Sequence, residues 1–134
     1  MKDLAQILYE ESQVIAQFTD QLAAEQEALK EGKTDTLMLF AEEKAKLAGH
    51  LESLAAERNL WLKAHNYPAD QHGMQRWCQE NPKETTALAQ WAKTLSMAAK
   101  AKELNRLNGE LITIHLKHNA QALQILKRSE HSLG

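Results

Sequence analysis

The stretch LAQILYEESQVIAQFTDQLAAEQEAL, residues 4–29, decides the fold of this chain. Its apolar residues recur at alternating spacings of four and three, which is the seam of a coiled-coil helix. Two acids also occupy this seam, whose members are Leu4, Leu8, Glu11, Ile15, Phe18, Leu22, Glu25 and Leu29. Because Gly32 is a typical helix terminator, the pattern predicts a first helix over about residues 3–31.

A second seam of the same kind follows after a short connection. Thr34 or Asp35 can cap a helix over about residues 35–66. Its seam members are Leu37, Phe40, Lys44, Leu47, Leu51, Leu54, Arg58, Trp61 and His65. Since the connection is only a few residues long, we expect the two helices to be antiparallel neighbours.

The charged seam positions predict the register of this hairpin. Facing residues in an antiparallel pair have position numbers with a constant sum, and a sum of 69 pairs Glu11 with Arg58 and Glu25 with Lys44. A different register would leave these charges unpaired, so we interpret them as register pairs that set alignment more than net stability. The alternative is that long side chains, Lys44 above all, extend from the seam to water.

The rest of the chain predicts a linker and one long helix. Residues 67–81 are the linker, with a short helix around Trp77 over residues 74–80. Asn81, Pro82 and Glu84 have the pattern of an N-cap, a first-turn proline and a capping box, so a third helix is predicted over about residues 82–128. We therefore predict one all-α domain over residues 1–134, an antiparallel helical bundle built from a coiled-coil hairpin (1–66), the linker, and a C-terminal segment (82–134).

The third helix has more apolar surface than one packing face needs. Its first half predicts a core stripe of Leu88, Trp91, Leu95 and Ala98 that docks on the hairpin. Its second half has one stripe of Leu104, Leu107, Leu111 and Ile114, and another of Ile112, Leu116, Leu123 and Leu126. At 1.5 Å per residue the helix spans roughly 70 Å and each hairpin arm roughly 45 Å. The hairpin therefore packs against the third helix only as far as about Gly109. The apolar turns beyond must fold back, dimerise or receive a partner.

Composition and charge narrow the function classes. Residues 1–66 carry 7 basic and 12 acidic side chains, whereas residues 83–134 carry 8 and 4, so the two ends of the chain attract each other. Basic residues are interleaved with acids and lack aromatic neighbours, which disfavours nucleic acid as a partner. The start has no leader pattern, and no apolar run is long enough to span a bilayer. We expect a cytoplasmic protein without membrane insertion.

Catalytic and metal chemistry find little support in the sequence. His115 and His118 share a helix face at a spacing that suits two metal ligands, but no third ligand is evident. Cys78 is the one cysteine and is interpreted as a partly buried thiol. No phosphate-binding glycine loop and no nucleophile–base pair is present. We therefore predict no metal, no cofactor and no enzymatic activity.

A short motif carries a family resemblance. The segment Asn105-x-x-Asn108-Gly109-x-Leu111-Ile112 resembles the motif of the FlgN flagellar export chaperones. A glycine inside a helix costs about 1 kcal/mol relative to alanine, so something other than helix stability favours it here. Family members also begin with an acidic amphipathic helix, followed by a helix with spaced Lys and Arg at its seam. One departure is the turn after the second helix, which reads Asn66-Tyr67-Pro68 where a glycine is often found.

The resemblance implies a cytoplasmic chaperone that binds the C-terminal helical segments of hook-filament junction (hook-associated) proteins. It would prevent their premature association and deliver them to the flagellar type III export apparatus. Gly109 would let a partner helix approach closely, and Asn105 and Asn108 would hydrogen-bond to it. The expected partner-binding residues are Asn105, Asn108, Gly109, Leu111, Ile112, Leu116, Leu123 and Leu126.

Two alternatives remain open at this point. Gly109 can instead pack closely on a helix of its own bundle, or mark a local kink. The whole chain can instead be a structural homo-oligomer, a coiled-coil scaffold or adaptor whose C-terminal stripes pair with each other in a homodimer.

Overall fold

Four α-helices and one 3₁₀ turn make up the part of the chain that the computed structural model describes. It describes the backbone of residues 2–133 and the side chains of residues 2–121, 123–125, 127 and 128. The helices are α1 (Leu4–Lys30), α2 (Leu37–Ala64), α3 (Gln71–Glu80) and α4 (Thr85–Leu133), with the 3₁₀ turn at Thr34–Thr36. The predicted all-α class is confirmed.

The two ends of α1 follow from local sequence. Asp3 accepts a hydrogen bond from the backbone N–H of Ala5 at 3.3 Å and caps the first turn. At the other end Gly32 has a φ of 72°, and the N–H of Lys33 donates to the carbonyl of Ala28 at 2.8 Å. This is a Schellman ending, in which glycine takes the left-handed conformation at no steric cost. The helix therefore ends where the sequence predicted.

The start and end of α2 differ in detail from the expectation. Neither Thr34 nor Asp35 caps it, because both lie in the 3₁₀ turn and α2 begins at Leu37. At its C-terminus Asn66 adopts a φ of 65°, and the N–H of Tyr67 donates to the carbonyl of Leu62 at 2.9 Å. Asparagine tolerates the left-handed conformation better than most residues with a side chain, so it replaces the glycine that is common there.

Helix α1 is the element shared by the rest of the bundle. It packs against both α2 and α4. It buries 11 of its residues, whereas α2 buries 3. Ser12 and Thr19, two small residues beside the first seam, are among those buried, and the hydroxyl of Ser12 donates to Oε1 of Gln90 in α4 at 2.6 Å. Ala87 packs near the start of α1 and Ala101 near its middle, so α4 runs parallel to α1.

Both predicted register pairs are in contact. Nζ of Lys44 lies 3.1 Å from Oε1 of Glu25, and the guanidinium of Arg58 pairs with the carboxylate of Glu11. The two glutamates are 2% and 4% exposed, so these are interior ion pairs and not surface ones. Burial raises the pKa of Glu11, and the pairing with Arg58 opposes that rise without cancelling it. The guanidinium also lies 4.8 Å from the ring centroid of Trp91, which joins α2 to α4.

Helix α3 closes the open end of the hairpin. It is longer than the predicted segment of residues 74–80, because Asp70 caps it by accepting from the N–H of Gly73 at 3.1 Å. Met74 and Trp77 are buried in one cluster with residues from the other three helices. Gly73 lies so close to the preceding loop that a Cβ atom there would come 1.7 Å from the carbonyl oxygen of Pro68.

The predicted capping box at Asn81 is wrong. The amide of Asn81 donates to the carbonyl of Trp77 at 2.8 Å, so this side chain ends α3 instead of starting the next helix. α4 begins at Thr85, and the N–H of Leu88 donates to the carbonyl of Glu84 at 2.9 Å. The last turn of α3 has carbonyls without helical partners, and the Asn81 amide satisfies one of them.

The predicted core stripe of α4 is correct at Trp91, which is buried, and at Leu88, which is half-buried and packs against the same core cluster. Leu95 is 45% exposed and Ala98 is also exposed. Apart from Trp91, the buried residues of α4 follow a spacing of seven and are small or polar: Ala87, Thr94, Ala101 and Asn108. Small side chains let α4 approach α1 closely, and this preference outweighs burial of the larger leucines.

The first prediction concerns the buried ion pair of Glu11 and Arg58. We expect Glu11→Ala to lower the free energy of unfolding by about 3–5 kcal/mol, because it leaves a guanidinium in the interior without its counter-charge. The double variant Glu11→Leu with Arg58→Met should cost clearly less, since it removes both charges. Urea unfolding followed by far-UV circular dichroism measures both. If Glu11→Ala lowers the free energy of unfolding no more than the double variant does, the ion pair is solvated and not buried.

The second prediction concerns the close approach at Gly73. We expect Gly73→Ala to cost about 1–3 kcal/mol, because the new methyl group meets backbone atoms that must move. Gly49→Ala is the matched control, since no described atom lies within 4 Å of a Cβ there, and it should stabilise α2 by up to about 1 kcal/mol. Thermal unfolding compares the two variants. Tryptophan fluorescence reports directly on α3, because Trp61, Trp77 and Trp91 all lie at this end.

Candidate partner-binding surface

Helix α4 outruns the hairpin, as the length argument predicts. Asn108 is its last fully buried residue among the described side chains. Two turns later Nε2 of His115 lies 2.6 Å from the carbonyl oxygen of Leu29, near the C-terminus of α1. Residues 116–133 then continue the helix for roughly 27 Å beyond this contact. The segment that the sequence singled out therefore begins where intramolecular packing ends.

Asn108 anchors α4 to the hairpin. Its Nδ2 donates to the carbonyl of Leu22 at 2.8 Å and to Oε1 of Glu25 at 2.9 Å, the oxygen that also binds Lys44. The side chain is fully buried, so it is not placed to meet a partner, contrary to the expectation from the resemblance. The reason is electrostatic, because a buried carboxylate needs every donor within reach. Asn105 is exposed and forms no side-chain hydrogen bond with any described residue.

Five of the expected binding residues share one face of α4. Spacings of four, three, four and seven residues place them in one row, which we call the α4 stripe: Asn105, Gly109, Ile112, Leu116 and Leu123. Ile112 is half-buried, while Leu116 is 64% and Leu123 57% exposed. Leu111 is half-buried and lies outside this row, and the side chain of Leu126 lies outside the described residues.

Gly109 has no packing role within the described chain. No described atom lies within 4 Å of a Cβ built on it, and α4 continues through it as one helix. The alternative in which Gly109 packs on its own bundle is therefore not what the structure shows. Its missing side chain instead leaves a notch in the α4 stripe between Asn105 and Ile112, open to solvent.

The charges around the α4 stripe change along the helix. Beside Asn105, Arg106 forms ion pairs with Glu103 at 2.7 Å and Glu110 at 2.6 Å, and its guanidinium lowers the pKa of Glu103. Beyond that cluster, residues 111–128 contain no acid but include Lys117 and Lys127. The projecting part of α4 thus combines exposed apolar side chains with positive charge.

Sequence reasoning missed part of this apolar surface. Ile125 is 62% exposed and belongs to neither predicted stripe. Ile114 is 52% exposed, although its predicted stripe runs along the half-buried Leu104, Leu107 and Leu111. A second exposed apolar strip therefore lies on the other side of α4 from Leu116 and Leu123. The sequence signal for this second strip is the presence of apolar residues at positions outside the seam spacing.

Other kinds of site find no support in the described residues. Within that part of the chain, no three His, Cys, Asp or Glu side chains are grouped to hold a metal ion. Likewise, no helix in the described part is both long and apolar enough to cross a membrane. Burial raises the pKa of the Cys78 thiol, which keeps it protonated and poorly nucleophilic.

The third prediction separates the two asparagines of the motif. We expect Asn108→Ala to destabilise the protein by about 1–3 kcal/mol, because two hydrogen bonds are lost and the buried Glu25 keeps one donor fewer. Asn105→Ala is the control and should change stability by no more than about 0.5 kcal/mol, since the site is exposed. Chemical denaturation measures both. Equal effects would mean that the Asn108 amide is not buried in solution.

Comparison with known proteins identifies the family of this chain. The family model described as FlgN protein matches residues 1–133, which is nearly the whole chain. No curated protein and no solved structure matches it with comparable significance. The match extends over the hairpin, α3 and α4 together, including the Asn-x-x-Asn-Gly motif. The chain therefore belongs to the FlgN family, whose members are flagellar export chaperones and not enzymes.

Proposed function

We propose that this chain binds the C-terminal helical segments of hook-filament junction proteins in the cytoplasm. Holding them there prevents their premature association and delivers them to the flagellar type III export apparatus. Family membership supports the general role. The observation that carries the specific one is the α4 stripe, an apolar row at coiled-coil spacing on a helix that projects past its own bundle.

A helical cargo segment suits this surface physically. A row at spacings of four and three is what an amphipathic partner helix meets when it lies along α4. Covering one leucine fully contributes about 1.5–3 kcal/mol, and Leu116 and Leu123 are each more than half exposed. If the terminal segment is disordered before assembly, the entropy cost of folding it into a helix offsets part of this binding free energy. The resulting binding is reversible, as delivery requires.

The notch at Gly109 and the amide of Asn105 supply the polar part of recognition. The notch lets the partner backbone or a large partner side chain approach α4 closely. Asn105, three residues before the buried Asn108, offers both a donor and an acceptor next to that notch. We therefore assign partner contact to Asn105, Gly109, Ile112, Leu116 and Leu123. Leu111 and Leu126 complete the proposed set, while Asn108 is assigned to anchoring.

The same exposed stripe would also serve a static homo-oligomeric scaffold. A scaffold keeps its assembly state whether or not junction-protein segments are present, whereas a chaperone binds them saturably. Titration with those segments therefore distinguishes the two functions.

The fourth prediction tests cargo binding. We expect isothermal titration with purified C-terminal segments of junction proteins to show saturable binding with a negative heat-capacity change, and the flagellin C-terminal segment to show none. Leu116→Asp with Leu123→Asp should abolish the heat, and Gly109→Trp should weaken binding at least about tenfold by filling the notch. Circular dichroism should show both variants folded.

The matched control is Leu60→Asp, a leucine 60% exposed near the opposite end of the hairpin. It should bind cargo as the wild type does, which excludes a general effect of replacing an exposed leucine with an acid. Binding lost in proportion to helicity would show that the stripe residues are structural. No binding by the wild type to any junction segment would contradict the proposal.

A further inference from the structure

A groove runs between α1 and α2 beside the hairpin turn. Its volume is about 770 Å³, and in the described chain its walls come only from α1, α2 and the turn, never from α4. Ala24 and Ala28 line it from α1, and Leu39 and Phe40 line it from α2. Leu39 is 67% exposed, whereas Ala28 and Phe40 are half-buried, so part of this apolar lining is uncovered. A surface of this kind is typical of a docking site.

The rim of this groove is acidic. Four glutamates and two lysines line it. One of the acids, Glu31, is paired with Lys33 at 2.8 Å. Glu42 and Glu43 form no ion pair with any described residue, and because Lys46 is the one other lysine of the lining, the groove keeps an excess of negative charge. An occupant should therefore be apolar along one side and positively charged beside it.

The projecting part of α4 has this chemistry. Residues 116–128 span roughly 20 Å as a helix, contain no acid, and carry Lys117 and Lys127 near the exposed Leu116 and Leu123. Within one chain the segment has no route to the groove, because α4 is one continuous helix that runs on past the turn. A second copy can supply it.

The geometry permits this exchange to be mutual. The contact between His115 and Leu29 places the start of the projection beside the hairpin turn, where the groove also lies. Two copies that meet at this end each bring a projecting helix to the other's groove. Such a two-fold arrangement uses the same patch twice and closes without further growth.

We infer that the groove receives residues 116–128 of a second copy of this chain, in a reciprocal dimer held by the apolar floor and by Lys117 and Lys127 against Glu42 and Glu43. The dimer covers Leu116 and Leu123 of both copies. A consequence, which alone rests on the proposed function, is that cargo and self-association compete, so the empty chaperone keeps its apolar stripe covered.

The experiment is sedimentation equilibrium of the full chain and two charge-reversed variants. The groove variant is Glu42→Lys with Glu43→Lys, and the helix variant is Lys117→Glu with Lys127→Glu. Each alone should associate at least about tenfold more weakly than the wild type, because like charges then face each other. An equimolar mixture of the two should dimerise again, since each groove then meets a helix of opposite charge. Circular dichroism confirms that both variants fold.

Several outcomes would overturn this inference. A wild type that stays monomeric to about 100 µM contradicts it, as that concentration far exceeds what a specific dimer needs. A groove variant that dimerises like the wild type shows that the projecting helices pair with each other instead. A chain that dimerises but binds no cargo supports the inference and contradicts the proposed function. A chain that binds cargo but stays monomeric contradicts the inference and supports the proposed function.

Discussion

The arrangement of the three long helices depends on one buried carboxylate oxygen, Oε1 of Glu25. It accepts from Nζ of Lys44 in α2 at 3.1 Å and from Nδ2 of Asn108 in α4 at 2.9 Å. A carboxylate that is 2% exposed is costly unless donors reach it. The stable packing is therefore the one that places Lys44 of α2 and Asn108 of α4 beside Glu25 of α1. The same contact thus sets the register of the hairpin and the position of α4 along the axis of α1. That position determines which residues of α4 lie beyond the bundle.

A second contact at the other end of the bundle fixes the rotation of α4. Arg58 pairs with Glu11 in α1 and lies over the ring of Trp91 in α4, although α2 and α4 have few other contacts. α4 is thus tied to the hairpin near its start by Trp91 and at mid-length by Asn108. Two fixed points on a stiff helix determine the direction of everything that follows them. The exposed row of Gly109, Leu116 and Leu123 therefore has a defined orientation without contacts of its own.

Much of this could be predicted from the sequence, for physical reasons that differ from one element to another. The hairpin and its register were predictable because apolar spacing and the four seam charges constrain each other. The face of α4 that docks on α1 was not, because Ala87, Thr94 and Ala101 carry no apolar signal that exceeds that of the leucines beside them. Asn81 was ambiguous, since the same amide suits the start of one helix and the end of another. The role of Asn108 depends on Glu25, 83 positions earlier in the chain, and no local pattern shows that.

The Asn-x-x-Asn-Gly motif makes sense as a boundary between interior and surface. Successive residues of a helix are rotated by about 100°, so a side chain fixed inward at Asn108 turns Gly109 outward to solvent. Asn105, one turn earlier, lies beside that notch on the same outer row. Asparagine and glycine weaken the helix, and this loss is offset at Asn108 by a buried polar contact and at Gly109 by access for a partner. Anchoring and presentation are thereby coupled within five residues. A partner that binds the α4 stripe meets a surface already held in place, and less of its binding free energy is used for ordering.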